Sequence, residues 1–150
     1  MKINITQPAG RSVDIIEELY TVWEDSVRTT HHFLTEGDIK NLRPVVIEGL
    51  KEIPVLAVAT SNGREIGFIG IANKKIEMLF VAPKHIGRGV GHSLLKWAIE
   101  TQDVCYIDVN EQNSKTAAIY RHWGFEVYHR SEFDEQGNPF PILQMKLSLS

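Results

Sequence analysis

One segment constrains the fold most, because three alternate glycines join a strand to a helix. Residues 76–81 are typical of a strand, and Gly87, Gly89 and Gly91 follow. Residues 89–101 then place their apolar side chains at a helical period. Glycine lets the backbone turn tightly, and a helix start offers unpaired N–H groups and a positive dipole end. The junction is suited to bind a pyrophosphate, although the glycine spacing taken alone also fits a plain turn.

The other segments alternate between strand and helix patterns. Strands are predicted at residues 2–7, 54–60, 65–72, 76–81, 104–109, 125–133 and 140–149, and helices after Ser12 and Thr35 and at residues 89–101 and 114–123. Thr35 and Asp38 fit a capping-box-like start of the second helix, and Pro44 is expected to break or kink that helix. Asn62-Gly63 fits a tight hairpin turn. The order β-α-α-β-β-β-α-β-α-β-β predicts an α/β fold with a mixed sheet.

The length and composition of the chain limit its domain number and the kinds of partner that we expect. The 150 residues suffice for one core and are expected to form one domain, residues 1–150. With 16 Lys and Arg against 19 Asp and Glu, we expect no nucleic-acid partner that requires a strongly basic surface. We expect no membrane association and a cytoplasmic location, because no apolar run reaches ~18 residues and no secretory signal is evident. Cys105 alone excludes a disulfide framework.

A second cluster lies on the helix at residues 114–123. Asn113 and Tyr120 are seven residues apart, nearly two helical turns, so their side chains point the same way. Taken singly, Asn113 also fits a helix cap and Tyr120 a core residue. Gly124 is placed to stop the helix.

The glycine spacing argues against two nucleotide ligands. A P-loop needs Gly-Lys-Ser/Thr, which is absent, and the dinucleotide fingerprint needs Gly-x-Gly-x-x-Gly rather than Gly-x-Gly-x-Gly. ATP and NAD are therefore poorly supported.

Taken together, the two clusters resemble a known family. The motifs are, in chain order, Leu79-x-Val81-x-Pro83, Gly87-x-Gly89-x-Gly91, Asn110-x-x-Asn113 and Tyr120-x-x-x-Gly124-Phe125. They resemble the GNAT superfamily of acyl-CoA-dependent N-acetyltransferases. The resemblance implies a mixed, mostly antiparallel central sheet flanked by helices.

A narrower similarity is to the small bacterial YjaB-type acetyltransferases. It rests on Trp23-x-x-Ser26, Thr30-His31-x-Phe33-Leu34, residues 109–113, residues 130–132 and Gly137-x-Pro139-x-Pro141. It supplies no substrate.

The resemblance implies how acetyl-CoA, the cosubstrate, is held. Family members splay two strands into a V-shaped slot, and the pantetheine arm lies in it like an extra strand. By resemblance, the backbone of Leu79, Phe80 and Val81 pairs with pantetheine, and Asn113 contacts the same arm. The pyrophosphate is expected on residues 87–92, namely Gly87, Arg88, Gly89, Val90, Gly91 and His92.

The resemblance also implies direct attack of an amine on the thioester. Tyr120 occupies the family's usual position for the acid that protonates the departing thiolate. Glu77 is a candidate base, placed by alternation on the same face as Leu79 and Val81, although a solvated strand-end carboxylate fits the same pattern. His31, at the end of the first helix, is a candidate base or substrate contact, or a helix-terminal histidine without a role in the reaction. No metal is expected.

One position departs from the family pattern. Ile86 stands where members usually carry Arg or Gln, which adds to phosphate binding; Lys84, His85 and Arg88 remain as possible charge partners. Weaker acyl-CoA affinity is the resulting hypothesis.

The predicted function is acetyl transfer from acetyl-CoA to a primary amine of a small molecule or protein, by a monomer or homodimer. A non-catalytic acyl-CoA-binding or sensing module is the alternative.

Overall fold

A seven-stranded sheet with helices on both faces forms the core of the computed structural model, which describes residues 2–30, 34–135 and 137–147. The strands are β1 (Asn4–Thr6), β2 (Val55–Ser61), β3 (Arg64–Ala72), β4 (Lys75–Val81), β5 (Tyr106–Asn110), β6 (Phe125–Ser131) and β7 (Ile142–Leu147). The helices are α1 (Val13–Thr30), α2 (Glu36–Glu52), α3 (Val90–Gln102) and α4 (Ser114–His122), with a short 3₁₀ turn at Pro83–His85. The predicted element order is confirmed.

The sheet is mixed and mostly antiparallel, as expected. Its spatial order is β1-β2-β3-β4-β5-β7-β6. β4 and β5 pair in parallel, and the other five neighbouring pairs are antiparallel. α3 is the crossover that parallel pairing requires.

The structure confirms several helix starts and a turn that local residue patterns predict. The Ser12 hydroxyl accepts from the Ile15 N–H at 3.2 Å, which caps α1. Thr35 and Asp38 form a reciprocal capping box at the start of α2. Asn62 and Gly63 both have positive φ, 53° and 75°, as a two-residue hairpin turn requires.

Pro44 does not break the second helix. α2 runs without interruption from Glu36 to Glu52, with Pro44 inside it. Ile39 and Leu50 on this helix are buried against the core, and the capping box supports its first turn. This packing outweighs the hydrogen bond and steric cost of an internal proline.

Two apolar cores separate the layers. α1 and α2 bury Leu19, Trp23 and Leu50 with Leu56 and Phe68 of the sheet. On the other face, α3 and α4 pack against the sheet through the side chains Leu94, Leu95, Ala98, Ala117 and Tyr120, together with Ile69, Ile107 and Met145. In the part of the chain that the structure describes, no helix is long and apolar enough to span a membrane.

Candidate active site

β4 and β5 stop pairing partway along their length. Their register contains only Lys75 with Tyr106 and Ile76 with Ile107, although β4 continues to Val81 and β5 to Asn110. Beyond Ile76 the strands diverge, and a cleft of about 930 Å³ opens between them. The edge of β4 that faces the cleft therefore has no strand partner there.

A β-bulge in β4 lies where the cleft begins. Met78 pairs with Gly70 and Ile76 pairs with Ile71, so Glu77 is the extra residue. Ile76 packs into the core beneath α3 and α4, whereas Met78 packs into the core beneath α1 and α2. Side chains along β4 therefore do not alternate between the two faces of the sheet at the bulge. The position of Glu77 is set by the bulge and not by regular alternation.

The glycine segment forms one end of the cleft. Gly87 and Gly89 have φ of 82° and 87°, in the left-handed region that favours glycine. Gly89 caps α3, and the Ser93 N–H donates to its carbonyl at 2.9 Å. The three residues between Gly89 and Ser93 lie in the first turn, where N–H groups have no helical acceptor. This end of the cleft is suited to an anion.

Most of the residues predicted to bind the cosubstrate line this one cleft. They are Leu79, Phe80, Val81, Gly87, Gly89, Val90, Gly91, His92 and Asn113. Arg88 is not among the residues that line the cleft. It lines a second cavity, together with His85. Ile86 lines the cleft and is 49% exposed.

Asn113 and Tyr120 share the cleft wall formed by α4. Asn113 occupies the N-cap position, but its side chain makes no capping hydrogen bond. Tyr120 is buried and stacks edge-on against Phe125. Within the described residues its hydroxyl has no hydrogen-bond partner, yet it is not sealed off, because Tyr120 lines the cleft. Burial raises the pKa of the Tyr120 hydroxyl above its ordinary value, so the group keeps its proton.

A small charged group lies at the start of the diverging strands. Lys75 Nζ is 2.7 Å from an Asp108 carboxylate oxygen and 3.9 Å from Glu77 Oε1. Glu77 and Asp108 both line the cleft. Burial raises the pKa of the Glu77 carboxyl, and the neighbouring Lys75 opposes that rise. Glu77 therefore becomes protonated at a higher pH than an ordinary glutamate does.

Sequence reasoning missed several residues that line the cleft. Asp108, and Ser26 and Thr29 at the end of α1, lie in its lining. Trp123 also lines it and lies against His92, with ring centroids 4.7 Å apart. The available signal for Asp108 was an acidic residue inside the otherwise apolar strand predicted at residues 104–109.

The remaining expectations concern His31 and metal binding. His31 falls outside the described residues, so its part stays a prediction. Within residues 2–30, 34–135 and 137–147, no group of three or more His, Cys, Asp or Glu side chains is placed to hold a metal ion.

Comparisons with known proteins agree with this architecture. Residues 53–127 match the family model described as acetyltransferase (GNAT) domain. Peptidyl-lysine N-acetyltransferase YjaB from Salmonella typhimurium and its Escherichia coli counterpart are each 33% identical over 86% of this chain, which covers 89% and 88% of them.

Solved structures give the same result. The apo-form solution structure of YjaB from Escherichia coli has a TM-score of 0.87, at 32% identity and full coverage of both chains. The PaiA N-acetyltransferase of Thermoplasma acidophilum, solved with coenzyme A, has a TM-score of 0.74 at 21% identity, covering 99% of this chain and 100% of that one. The likeness to PaiA concerns the fold alone. The chain belongs to the GNAT family of N-acetyltransferases, which transfer an acetyl group from acetyl-CoA to an amine.

Proposed function

We propose that this protein acetylates lysine side chains of proteins, with acetyl-CoA as the donor. The observation that carries the proposal is the Tyr120 hydroxyl, which is buried on α4, has no hydrogen-bond partner within the described residues, and lies in the same cleft as the glycine loop. The 33% identical relatives named peptidyl-lysine N-acetyltransferase support lysine as the acceptor.

Acetyl-CoA binds along the cleft in this proposal. The unpaired edge of β4 at residues 79–81 offers backbone hydrogen bonds to the pantetheine arm, as a strand partner would. The N–H groups at Gly87 and at the first turn of α3 receive the pyrophosphate. The Asn113 side chain, which makes no capping bond, is available to the pantetheine amide groups.

The reaction needs two proton transfers. The neutral lysine amine attacks the thioester carbonyl carbon and forms the new C–N bond. When the C–S bond then breaks, the electron pair leaves on sulfur, and Tyr120 donates its proton to give the free thiol of CoA. The nitrogen loses its proton to Glu77, directly or through one water, and the amide product results. Exchange with water then removes this proton from Glu77 and returns one to the Tyr120 phenolate.

The charge around Glu77 favours a cationic acceptor. Glu77 and Asp108 carry two negative charges at the start of the diverging strands, and Lys75 offsets one of them. The remaining negative charge attracts the lysine ammonium before it is deprotonated. Burial raises the Glu77 pKa, which brings this carboxyl closer to the basicity that a general base needs at neutral pH.

A pair of peptides tests the proposal. One peptide has blocked ends and a single internal lysine, and the other has arginine at that position. We expect thiol release and a mass increase of one acetyl group with the lysine peptide only. A tyrosine-to-phenylalanine change at Tyr120 should abolish most of this turnover, while Tyr128→Phe, which alters an exposed residue, should leave it unchanged.

Two results would overturn the proposal. Acetyl-CoA binding without acetylation of any lysine peptide, but with acetylation of small amines, would assign a different acceptor. Binding without turnover on any amine would instead favour the non-catalytic acyl-CoA-binding module.

A further inference from the structure

A second cavity, of about 390 Å³, lies behind the glycine loop and is lined mainly by polar and basic residues. Its lining consists of Lys2, Ser61, Asn62, Arg64, Ile66, His85 and Arg88. Three of these residues carry permanent positive charge, and they come from three separate parts of the chain: the start of the chain, the β2–β3 hairpin and the glycine loop. We call this cavity the basic pocket.

Among the described residues, none that lines the basic pocket is acidic. Within the described residues, none of Lys2, Arg64 and Arg88 forms an ion pair. Elsewhere in the protein, arginines such as Arg43 and Arg130 face a carboxylate. Because the chain has a net charge of -3, three unpaired cations around one cavity are not a consequence of general basicity. An anion in this cavity is attracted by all three charges.

The basic pocket is separate from the acetyl-CoA cleft. His85 is the one described residue that lines both cavities, whereas Ile86, Gly87 and Gly89 line the cleft alone and Arg88 lines the basic pocket alone. The Arg88 N–H donates to the His85 carbonyl at 3.2 Å, which closes the turn between the two cavities. The glycine loop therefore presents one face to each of them.

His85 adds a second, independent observation. Its Nδ1 atom is buried and has no hydrogen-bond partner within the described residues. A buried polar atom without a partner costs free energy, and such atoms in folded proteins usually mark a ligand or water site. His85 lines the basic pocket as well as the cleft, so its ring lies between the two cavities.

We propose that the basic pocket binds the phosphate group of a small anion that is distinct from acetyl-CoA. Two guanidinium groups recognise phosphate oxygens through paired N–H donors, and an ammonium adds a point charge. The cavity has room for more than one phosphate group, so inorganic pyrophosphate is a suitable probe. Binding to this site does not require the cleft to be empty.

Calorimetric titration of inorganic pyrophosphate into the protein saturated with CoA tests the proposal. CoA fills the cleft, so one remaining site is expected to bind pyrophosphate, with an affinity that falls as salt rises. Arg64→Gln and Lys2→Gln should each weaken this binding about tenfold or more, since each removes a charged contact. Lys40→Gln, which alters an exposed lysine of α2 outside the pocket, should bind as the unchanged protein does.

The controls distinguish a separate anion site from a misfolded variant, a damaged cleft and a site for the 3′-phosphate of CoA. Both substituted residues lie outside the cleft lining, so thermal melts without ligand and CoA titrations should match the unchanged protein and show that the fold and the cleft are intact. Absence of pyrophosphate binding to the CoA complex, or equal affinity in Arg64→Gln, overturns the proposal. Binding to the complex with dephospho-CoA but not to that with CoA also overturns it, because the pocket would then hold the 3′-phosphate of CoA.

A failure of CoA itself to bind would count against the proposed function instead. The titration is then made on the protein alone, where Arg64→Gln must still lower pyrophosphate affinity if the basic pocket is the site.

Discussion

Ile76 of β4 and Ile107 of β5 form the last parallel pair between these strands, and the cleft begins beyond them. Both side chains are buried and line the cleft, so its inner end is apolar. The next residues, Glu77 and Asp108, are the acidic groups of that lining. Acidic groups and an apolar surface therefore meet at the point where the strands part, beside the wall that carries Tyr120.

Tyr120→Phe should lower kcat by about 100-fold or more, because the leaving thiolate loses its proton donor. Since phenylalanine keeps the ring that packs against Phe125, the fold and acetyl-CoA affinity should stay close to those of the unchanged protein. Steady-state kinetics with a lysine peptide and calorimetric titration with acetyl-CoA measure the two quantities. An unchanged kcat would remove Tyr120 from the mechanism.

The pH dependence of kcat/KM should show the titration of the Glu77 carboxyl. Burial raises the pKa of its carboxyl, so the carboxylate is lost at a higher pH than usual as the solution is acidified. We expect kcat/KM to fall on the acidic side along a limb that Glu77→Gln abolishes together with most of the activity. Glu126→Gln, on the exposed face of β6, serves as the control and should leave the profile unchanged.

Removal of Lys75 should shift the acidic limb of this pH profile in a defined direction. Its ammonium lies 3.9 Å from Glu77 and lowers the carboxyl pKa against the effect of burial. Lys75→Met should therefore raise the Glu77 pKa further and shift the acid limb to higher pH. A shift to lower pH, or none, would mean that the limb belongs to another group.

The sequence was sufficient for local features of the fold and the site. The Thr35 capping box, the Asn62-Gly63 turn and the common side of Asn113 and Tyr120 depend on residues close together in the chain, and each is present. Their geometry follows from backbone and side-chain preferences alone.

Features that depend on distant partners were not predictable in the same way. The bulge at Glu77 arises from the register of β4 against β3, so alternation within β4 could not reveal it. Arg88 borders a cavity together with residues of the β2–β3 hairpin, which is distant from it in the chain. Pro44 stays helical because of tertiary packing that local propensity does not contain.

Gly89→Ala and Gly91→Ala should have opposite effects on stability. Gly89 has φ of 87°, where alanine costs about 1–2 kcal/mol, so this variant should unfold at a lower urea concentration and bind acetyl-CoA more weakly. Gly91 lies within α3, and a Cβ there would meet Val81 Cγ2 at 3.7 Å, an ordinary contact. Alanine at that position should therefore raise the free energy of unfolding by roughly 0.5 kcal/mol. Equal effects on urea midpoints would contradict the assigned backbone conformation.

Ile86→Arg should tighten acetyl-CoA binding severalfold. Ile86 lines the cleft next to Gly87 and is half exposed, so a guanidinium there can reach a phosphate while remaining solvated. Val45→Arg is the matched control, because Val45 is also half exposed but lies on α2 outside the cleft lining, and it adds the same charge. Dissociation constants measured at two salt concentrations should differ most for the Ile86 variant, since its added contact is electrostatic. Equal affinity of the two variants would show that the backbone N–H groups of the loop hold the pyrophosphate without help from this side chain.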